Sequence, residues 1–237
     1  MWGRSSRGRA VAACALVAWA LAGTARAEPE CPGDAAPIAA VPVEARTAFL
    51  RDQLAEAYGP ARRWSITWGV IDGALVVGQL AAIPFNQDRA TRALLAAGAA
   101  SGALAFVQLL FFPVAVSPPP PRPGADPCAV VGELERLLEL GARNQALGSG
   151  PIAHASNALI NAGLGIGAGF AGRSVATGVL TFAIGLGIGE AQILTQPTDL
   201  VHARDRYRAA DLAPFALAPT VGLGPAGALS FGLAGRF

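Results

Sequence analysis

The chain has 237 residues, of which 53% are hydrophobic and 14% charged, and it contains no lysine. This balance favours an integral membrane protein over a soluble domain of the same length. Residues 1–27 hold four of the 18 basic residues and none of the 16 acids, so the formal charge of +2 becomes −2 for the remainder. No basic surface is left for nucleic acid, which is not expected as a partner.

Residues 1–27 have the features of a secretory signal peptide. Three arginines form a basic n-region, Ala10–Ala22 is a short apolar run, and Ala25-Arg26-Ala27 supplies the small residues of a cleavage site. An uncleaved anchor helix is the alternative, but the apolar run is short for a membrane span. We expect an exported mature chain that begins near Glu28.

Residues 28–63 are expected to form an N-terminal periplasmic segment with one amphipathic helix, Val41–Tyr58. Apolar residues recur there at three- and four-residue spacings, and charged residues occupy the other face. Gly59-Pro60 is predicted to end this helix, because glycine caps helices and proline does not continue them. The helix should lie on the membrane surface or pack over the spanning helices.

A first transmembrane hairpin is predicted for residues 64–113. Two apolar stretches, Trp64–Pro84 and Ala93–Phe112, flank a polar turn, and each has about the 20 residues that a spanning helix needs. Trp64 and Trp68 lie one helical turn apart at the start of the hairpin. Indole rings favour the membrane interface, so this end should lie at the bilayer surface.

A proline-rich linker, residues 114–126, leads to an amphipathic periplasmic helix, residues 127–149. Asp126 and Pro127 predict the start of this helix, as an N-cap acid followed by a first-turn proline. Cys31 and Cys128 are the two cysteines outside the signal peptide. An oxidising periplasm favours a disulfide between them over two unpaired thiols.

The second transmembrane hairpin is predicted for residues 150–197. Its apolar segments, Ile152–Ala171 and Ser174–Thr195, are joined by the turn Gly172-Arg173. Glycines spaced four apart let helix backbones approach closely, and the hairpin has three such pairs: Gly163-Gly167, Gly165-Gly169 and Gly185-Gly189. On this interpretation, leucine at Gly167 or Gly187 should disrupt the fold.

Four spans place both ends of the mature chain on the same side of the membrane. With those ends in the periplasm, the cytoplasmic turns hold Arg89, Arg92 and Arg173, in weak agreement with the positive-inside rule. The two hairpins also resemble each other, since each follows an amphipathic helix and ends in a Gln-containing segment before a proline. This similarity predicts a parallel internal repeat about an axis along the membrane normal.

Polar side chains within the predicted spans are expected to converge in the periplasmic half of the bundle. His154, Asn157 and Asn161 share one helix face, and the cluster as a whole comprises Asp72, Gln108, His154, Asn157, Asn161, Glu190 and Gln192. One hypothesis is structural: these groups hydrogen-bond to each other and hold the helices together. The other is a ligand or proton site with His154 and Glu190 as the exchanging pair.

The C-terminal segment, residues 198–237, is predicted to form a surface helix, Thr198–Asp211, in which Leu200, Ala203 and Tyr207 face inward, and a short β-hairpin. Apolar and small residues alternate in its last part. The final strand, closed by Phe237, resembles the C-terminal strand of outer-membrane β-barrel proteins over about ten residues. The rest of the chain lacks the alternating segments of a barrel, so the hairpin is instead expected to cap the bundle or to pair with an envelope protein.

The sequence as a whole predicts an all-α integral membrane protein with four transmembrane helices as two helical hairpins, amphipathic periplasmic helices and a short C-terminal β-hairpin. The lipid bilayer is its expected partner and the inner membrane its expected location, with the outer membrane as the alternative. A non-enzymatic scaffold or ligand-binding component is the leading function. A small transporter or proton-coupled site using Asp72, His154 and Glu190 comes second, and an intramembrane enzyme third. No cofactor or metal site is predicted, because the spans contain one histidine and no HExxH run.

Overall fold

The computed structural model describes residue 31, residues 36–213, and the backbone of residues 216–223 and 229–236. The helices are α1 (Val43–Ala82), α2 (Arg89–Phe111), α3 (Pro127–Ser149), α4 (Pro151–Gly172), α5 (Val175–Leu194) and α6 (Asp199–Arg208). Short 3-10 turns at Ile38–Ala40 and Ile83–Phe85 flank α1, and strands β1 (Ala216–Leu223) and β2 (Leu229–Arg236) follow α6. The predicted signal peptide lies outside the described residues.

One continuous 40-residue helix, α1, replaces the amphipathic helix and the separate first span that the sequence predicted. The prediction that Gly59-Pro60 ends a helix is wrong, because Pro60 lies inside α1. A proline in a helix interior costs about 3 kcal/mol. Packing on both sides offsets that cost: Ala57 and Ala61 are only 3% and 1% exposed. At 1.5 Å per residue α1 is about 60 Å long, roughly twice the thickness of a bilayer's hydrocarbon layer.

The N-terminal half of α1, residues 43–61, packs with α3 and α6 into a small helical head. Most of the buried apolar side chains lie in this head, among them Leu50, Leu54, Leu134, Leu138 and Leu200. Leu200, Ala203 and Tyr207 face inward on α6, as the sequence predicted. The spacing of apolar residues on α3 and α6 therefore gives the head the core of an ordinary water-soluble domain.

A buried polar network ties the three helices of the head together. Arg46 is 1% exposed and forms an ion pair with Glu135 at 2.6 Å, and its Nε donates to the Tyr207 hydroxyl at 2.9 Å. The Tyr207 hydroxyl in turn donates to Glu135. Burial, and then the hydrogen bond to Glu135, raise the pKa of Tyr207 above its usual range. The arginine thus joins α1 to both α3 and α6.

The remainder of α1, residues 62–82, forms a four-helix bundle with α2, α4 and α5. Large apolar side chains point outward from these helices, including Val70, Val77, Phe170 and Val175, which are 66%, 68%, 80% and 85% exposed. Contiguous apolar surface of this kind marks a lipid-facing or protein-facing region. Large apolar side chains therefore face outward on the bundle, whereas in the head they are buried in the core.

Among the described residues, three helices are long and apolar enough to cross a membrane: Val43–Phe85, Arg89–Phe111 and Val175–Leu194. The structure thus supports a largely helical membrane protein with three candidate spans. Helix α4 has 22 residues and packs along α5, but it is not among the three. His154, Asn157 and Asn161 lower its mean hydropathy below that of its neighbours.

Close contact between α4 and α5 depends on some of the predicted glycines and not on others. A Cβ atom built on Gly165 would lie 2.8 Å from the Gly178 carbonyl oxygen, and Gly169 also faces Gly178. Nothing lies within 4 Å of a Cβ built on Gly163, Gly167 or Gly187. The expectation that leucine at Gly167 or Gly187 would disrupt the fold is therefore wrong, because both positions face outward from the helix contact.

Two features lie near the ends of the described chain, a cysteine pair and a pair of strands. Cys31 and Cys128 lie at disulfide-bond distance with their Cα atoms 5.3 Å apart, and both cysteines pack against the core of the head. Strands β1 and β2 pair antiparallel, with Ala216 opposite Arg236 and Leu223 opposite Leu229. Residues 224–228, between the two strands, lie outside the described residues.

Candidate functional site

A hydrogen-bonded pair joins the start of α4 to the end of α5. His154 Nδ1 lies 2.6 Å from Glu190 Oε2, and Asn157 Nδ2 donates to Glu190 Oε1 at 2.9 Å. His154 and Asn157 are three residues apart and so share a face of α4. The side chains of His154 and Glu190 remain 39% and 30% exposed, so this pair lies at the edge of the bundle.

Further polar side chains extend this contact into the bundle. Asn161 Nδ2 donates to Asn157 Oδ1 at 2.7 Å, and the Ser101 hydroxyl on α2 donates to Asn161 Oδ1 at 3.2 Å. Glu190, Asn157, Asn161 and Ser101 thus form a polar ladder that crosses α5, α4 and α2. Ser101 was not among the predicted site residues. Its signal in the sequence is that it is the one hydroxyl within the apolar run 93–112.

Two glycines of α5 make room for the asparagines of the ladder. A Cβ atom on Gly189 would lie 2.1 Å from Asn157 Oδ1, and one on Gly185 would lie 1.9 Å from Asn161 Oδ1. The glycines and the asparagines are both four residues apart, so each amide meets one glycine as the helices run antiparallel. Gly185 and Gly189 therefore accommodate side chains, whereas the sequence indicated close contact between backbones.

A cavity of about 760 Å³ opens between α1, α2, α4 and α5. Its walls are largely apolar, with leucine, isoleucine, alanine and phenylalanine side chains from all four helices. Polar side chains interrupt them, from α1 to α5 and from the segment after α5: Asp72, Gln79, Ser101, Gln108, Asn144, Ser156, Asn157, Asn161, Thr181, Gln192 and Gln196. Ligand-binding pockets typically combine this size with mostly apolar walls and a small number of placed polar groups.

Trp64 and Trp68 lie at one end of the cavity, where α1 leaves the head. Trp64 lines the cavity, and the indole N–H groups of Trp64 and Trp68 both donate to the Thr195 hydroxyl, at 3.2 and 3.1 Å. These bonds join α1 to the residue that follows α5. Indole rings favour the membrane interface, and both of these rings lie at the end of the bundle next to the head.

Two side-chain oxygens of α1 lack a hydrogen-bond partner among the described residues, and both residues line the cavity. They are Asp72 Oδ2 and Gln79 Oε1. Asp72 is only 1% exposed, and Gln192 is the polar group that approaches its carboxyl. The two residues are seven apart, and therefore on the same face of α1, two turns from each other. A buried polar group without a partner costs free energy.

The structure brings five of the seven predicted cluster residues to one cavity. Asp72, Gln108, Asn157, Asn161 and Gln192 line it, whereas the other two members, His154 and Glu190, do not. The His154–Glu190 pair reaches the cavity only through Asn157. Proton or ligand chemistry at the pair is thus separate in space from the carboxyl of Asp72, whose Oδ2 has no partner among the described residues.

The part of the chain that the structure describes contains no cluster of side chains suited to bind a metal ion. No group of three or more histidine, cysteine, aspartate or glutamate side chains lies together there. The arrangement instead offers hydrogen-bond acceptors in an apolar cavity, which suits the binding of an organic molecule.

Comparison with known proteins finds no matching family model, no matching curated protein and no matching solved structure. The function of the chain therefore has to be argued from its own residues. The cavity and its polar lining are the features that carry such an argument furthest.

Proposed function

We propose that this protein is a non-enzymatic component of a bacterial envelope membrane that binds a small apolar or amphiphilic molecule inside its helical bundle. The observation that best supports this proposal is the cavity of about 760 Å³ between the helices. The polar side chains of the bundle line this cavity, so their hydrogen bonds to each other leave room there for a further molecule. The cavity also collects polar side chains from five helices, as specific ligand pockets do.

Four membrane spans fit the contacts of the second hairpin better than three. Helices α3 and α6 pack against each other in the head, so the start of α4 and the end of α5 lie on the same side. If α5 crosses the bilayer, α4 has to cross it in the opposite direction. The polar side chains of α4 are then covered by α2 and α5, with the hydrogen bonds that polar groups in a membrane require.

We place the head in the periplasm and the bundle in the inner membrane. The predicted signal peptide and the cysteine pair support an oxidising compartment. The resemblance of the last strand to outer-membrane proteins keeps the outer membrane as the alternative. A two-stranded sheet such as β1–β2 is marginally stable alone, and an envelope protein that adds a strand to it is the partner we propose.

Native mass spectrometry of the detergent-purified mature protein tests ligand binding. Ala97 lines the cavity, and Ala100, one turn further along α2, is exposed. Phenylalanine at Ala97 should fill the cavity, and phenylalanine at Ala100 is the matched control. We expect a bound small molecule on the wild type and on Ala100→Phe that is lost from Ala97→Phe. A bundle with no bound mass in any of the three contradicts the proposal.

A proton-coupled transporter is the second candidate, and the hydrogen bond of 2.6 Å between His154 and Glu190 is the observation that favours it. A proton can pass between a histidine and a carboxylate that are hydrogen-bonded to each other. Proton flux into proteoliposomes, measured with a pH-sensitive dye, should then fall in Glu190→Gln. Flux indistinguishable from that of empty liposomes removes this candidate and leaves the binding function unaffected.

A further inference from the structure

The polar lining of the cavity favours a positively charged ligand, because over the residues that the structure describes it contains a carboxyl group and no basic side chain. Among the described residues, Asp72 is the one ionisable side chain that lines it, and no arginine or histidine does. The carboxyl is 1% exposed, and its Oδ2 has no hydrogen-bond partner within the described part of the chain. An acceptor left without a partner in an apolar wall costs free energy, and a donor bound in the cavity relieves that cost.

A second acceptor lies further along the same wall. Gln79 Oε1 is buried without a partner in the part of the chain described here, and Gln79 also lines the cavity. Two orphaned acceptors on one face of α1 call for a hydrogen-bond donor. Buried polar groups in native proteins are nearly always paired, with protein or with a bound molecule.

The depth of Asp72 limits which molecule can supply that donor. Asp72 is eight residues from Trp64, which places it about 12 Å along α1 from the interfacial tryptophans. A bilayer lipid in its normal position has its acyl chains at this depth, whereas its headgroup stays near the surface. A molecule that pairs with Asp72 therefore carries its polar group into the bundle itself.

We propose that the cavity binds a cationic amphiphile, with a protonated amine at Asp72 and a single apolar chain along the leucine and isoleucine walls. An ammonium group supplies both the positive charge that a carboxylate in an apolar site requires and an N–H donor for Asp72 Oδ2. This inference rests on the proposed function, because it names the ligand chemistry of the same cavity.

Three probes of equal chain length separate charge from apolar binding: octylamine, octanol and octanoate. Each is titrated against the detergent-purified mature protein, and the bound fraction is read by native mass spectrometry. Partition into the micelle is the same for every variant, so the ratio of wild-type to variant affinity reports the cavity alone. We expect the wild type to bind octylamine most tightly and octanoate least.

Asp72→Asn removes the charge and keeps the shape of the side chain. We expect it to weaken octylamine at least about tenfold, the loss that follows from removing a charged hydrogen bond, and to leave octanol unchanged. Asp72→Asn should also raise the melting temperature of the empty protein, because it removes a buried unpaired carboxyl.

The outcomes separate this inference from the proposed function. Equal binding of octylamine and octanol, with no effect of Asp72→Asn, overturns the cationic ligand and leaves an apolar binding site. Tightest binding of octanoate overturns it as well. If no probe binds to the wild type and is lost from Ala97→Phe, the binding function itself is overturned. If Asp72→Asn does not fold, the comparison of octylamine with octanol on the wild type decides the same question, because only the charge of the probe differs at its polar end.

Discussion

His154 Nδ1 and Glu190 Oε2 lie 2.6 Å apart although they are 36 residues apart in the chain. The contact closes the open end of the α4–α5 hairpin, on the side where the head packs. It also fixes the register of the two helices, because Asn157 donates to the other carboxylate oxygen at 2.9 Å. The pair is therefore a clasp for the hairpin whether or not it exchanges protons.

His154→Ala should lower the melting temperature modestly. Partly exposed ion pairs contribute little to stability, and Glu190 keeps its hydrogen bond from Asn157. Glu190→Gln should cost less than His154→Ala, because an amide oxygen still accepts from Asn157 and the side chain keeps its size. Thermal unfolding in detergent, followed by circular dichroism, measures both.

His202→Ala is the matched control, since the second histidine of the chain has only a 3.5 Å contact with Thr198 on the exposed side of α6. It should leave the melting temperature unchanged. A loss equal to that of His154→Ala would mean that the effect is general to histidine removal and not specific to the clasp.

Gly165→Ala should destabilise the protein by about 1–3 kcal/mol, the usual cost of an overpacked helix contact. The added methyl group would lie 2.8 Å from the Gly178 carbonyl oxygen, which is backbone and cannot move aside alone. Gly167→Ala is the matched control two residues away. It meets nothing within 4 Å and should gain up to about 1 kcal/mol from helix propensity. Equal effects of the two substitutions would contradict the helix contact described here.

The glycines also show what the sequence could and could not predict. Glycine at every second position from Gly163 to Gly169 indicates close packing, but the helix turns by about 100° per residue, so these positions point in different directions. Which of them meets α5 depends on the rotation of α4. The sequence marks one polar face of that helix with His154, Asn157 and Asn161, but it does not tell whether the face meets α2 or α5, and in the structure it contacts both.

Helix α1 illustrates the same limit for local signals. The dipeptide Gly59-Pro60 indicates a helix end, and the contacts that override it come from α3 and α6, more than 60 residues away in the chain. Conversely, the inward face of α6 and the start of α3 at Asp126-Pro127 were predicted from sequence, because amphipathic spacing and caps are local. The sequence predicted that the polar residues of the spans converge, but which of them meet, such as Asp72 and Gln192, depends on how α1 and α5 pack in the folded protein.

Alkaline pH should weaken the head through Tyr207. Burial and the hydrogen bond to Glu135 raise the pKa of its phenol, so the folded protein holds the proton after the unfolded chain has lost it. Stability from this group is complete below about pH 10, the usual tyrosine pKa, and falls as the pH rises toward the higher pKa of the folded state. Tyr207→Phe should cost about 2 kcal/mol at neutral pH and remove that part of the alkaline dependence.

Ultraviolet titration of tyrosinate checks this assignment. The chain has two tyrosines, Tyr58 and Tyr207, so in Tyr58→Phe the absorbance reports Tyr207 alone. We expect ionisation well above pH 10, coincident with loss of helix signal. Ionisation at the usual pKa in a folded protein would contradict the buried network with Arg46.

Counting thiols tests the cysteine pair and the signal peptide together. If residues 1–27 are removed and Cys31 is bonded to Cys128, the denatured, unreduced protein should react with no maleimide, and the reduced protein with two. A retained signal peptide adds Cys14 to both counts. Removal of the bond by Cys31→Ala and Cys128→Ala should cost about 2–5 kcal/mol, less to the extent that the membrane already restrains the unfolded chain. Two reactive thiols before reduction would contradict the bond.

The span count can be tested from the two ends of α4. In the four-span arrangement Arg143 on α3 lies on the side of the head, and Arg173, in the left-handed turn between α4 and α5, lies on the opposite side. Arg143→Cys and Arg173→Cys should therefore label from opposite faces of the membrane with a maleimide that does not cross it. In intact cells with a permeable outer membrane, we expect Arg143→Cys to react and Arg173→Cys to react only after lysis.

Arg89→Cys, at the start of α2, is the control for the first hairpin and should behave like Arg173→Cys. Its guanidinium donates to the Ala171 carbonyl oxygen at 2.5 Å, so the two turns lie side by side and must share a face of the membrane. If Arg173→Cys reacts in intact cells while Arg89→Cys does not, α4 and α5 do not both span. The cavity between the four helices would then lie partly outside the bilayer, and a ligand would reach Asp72 from water.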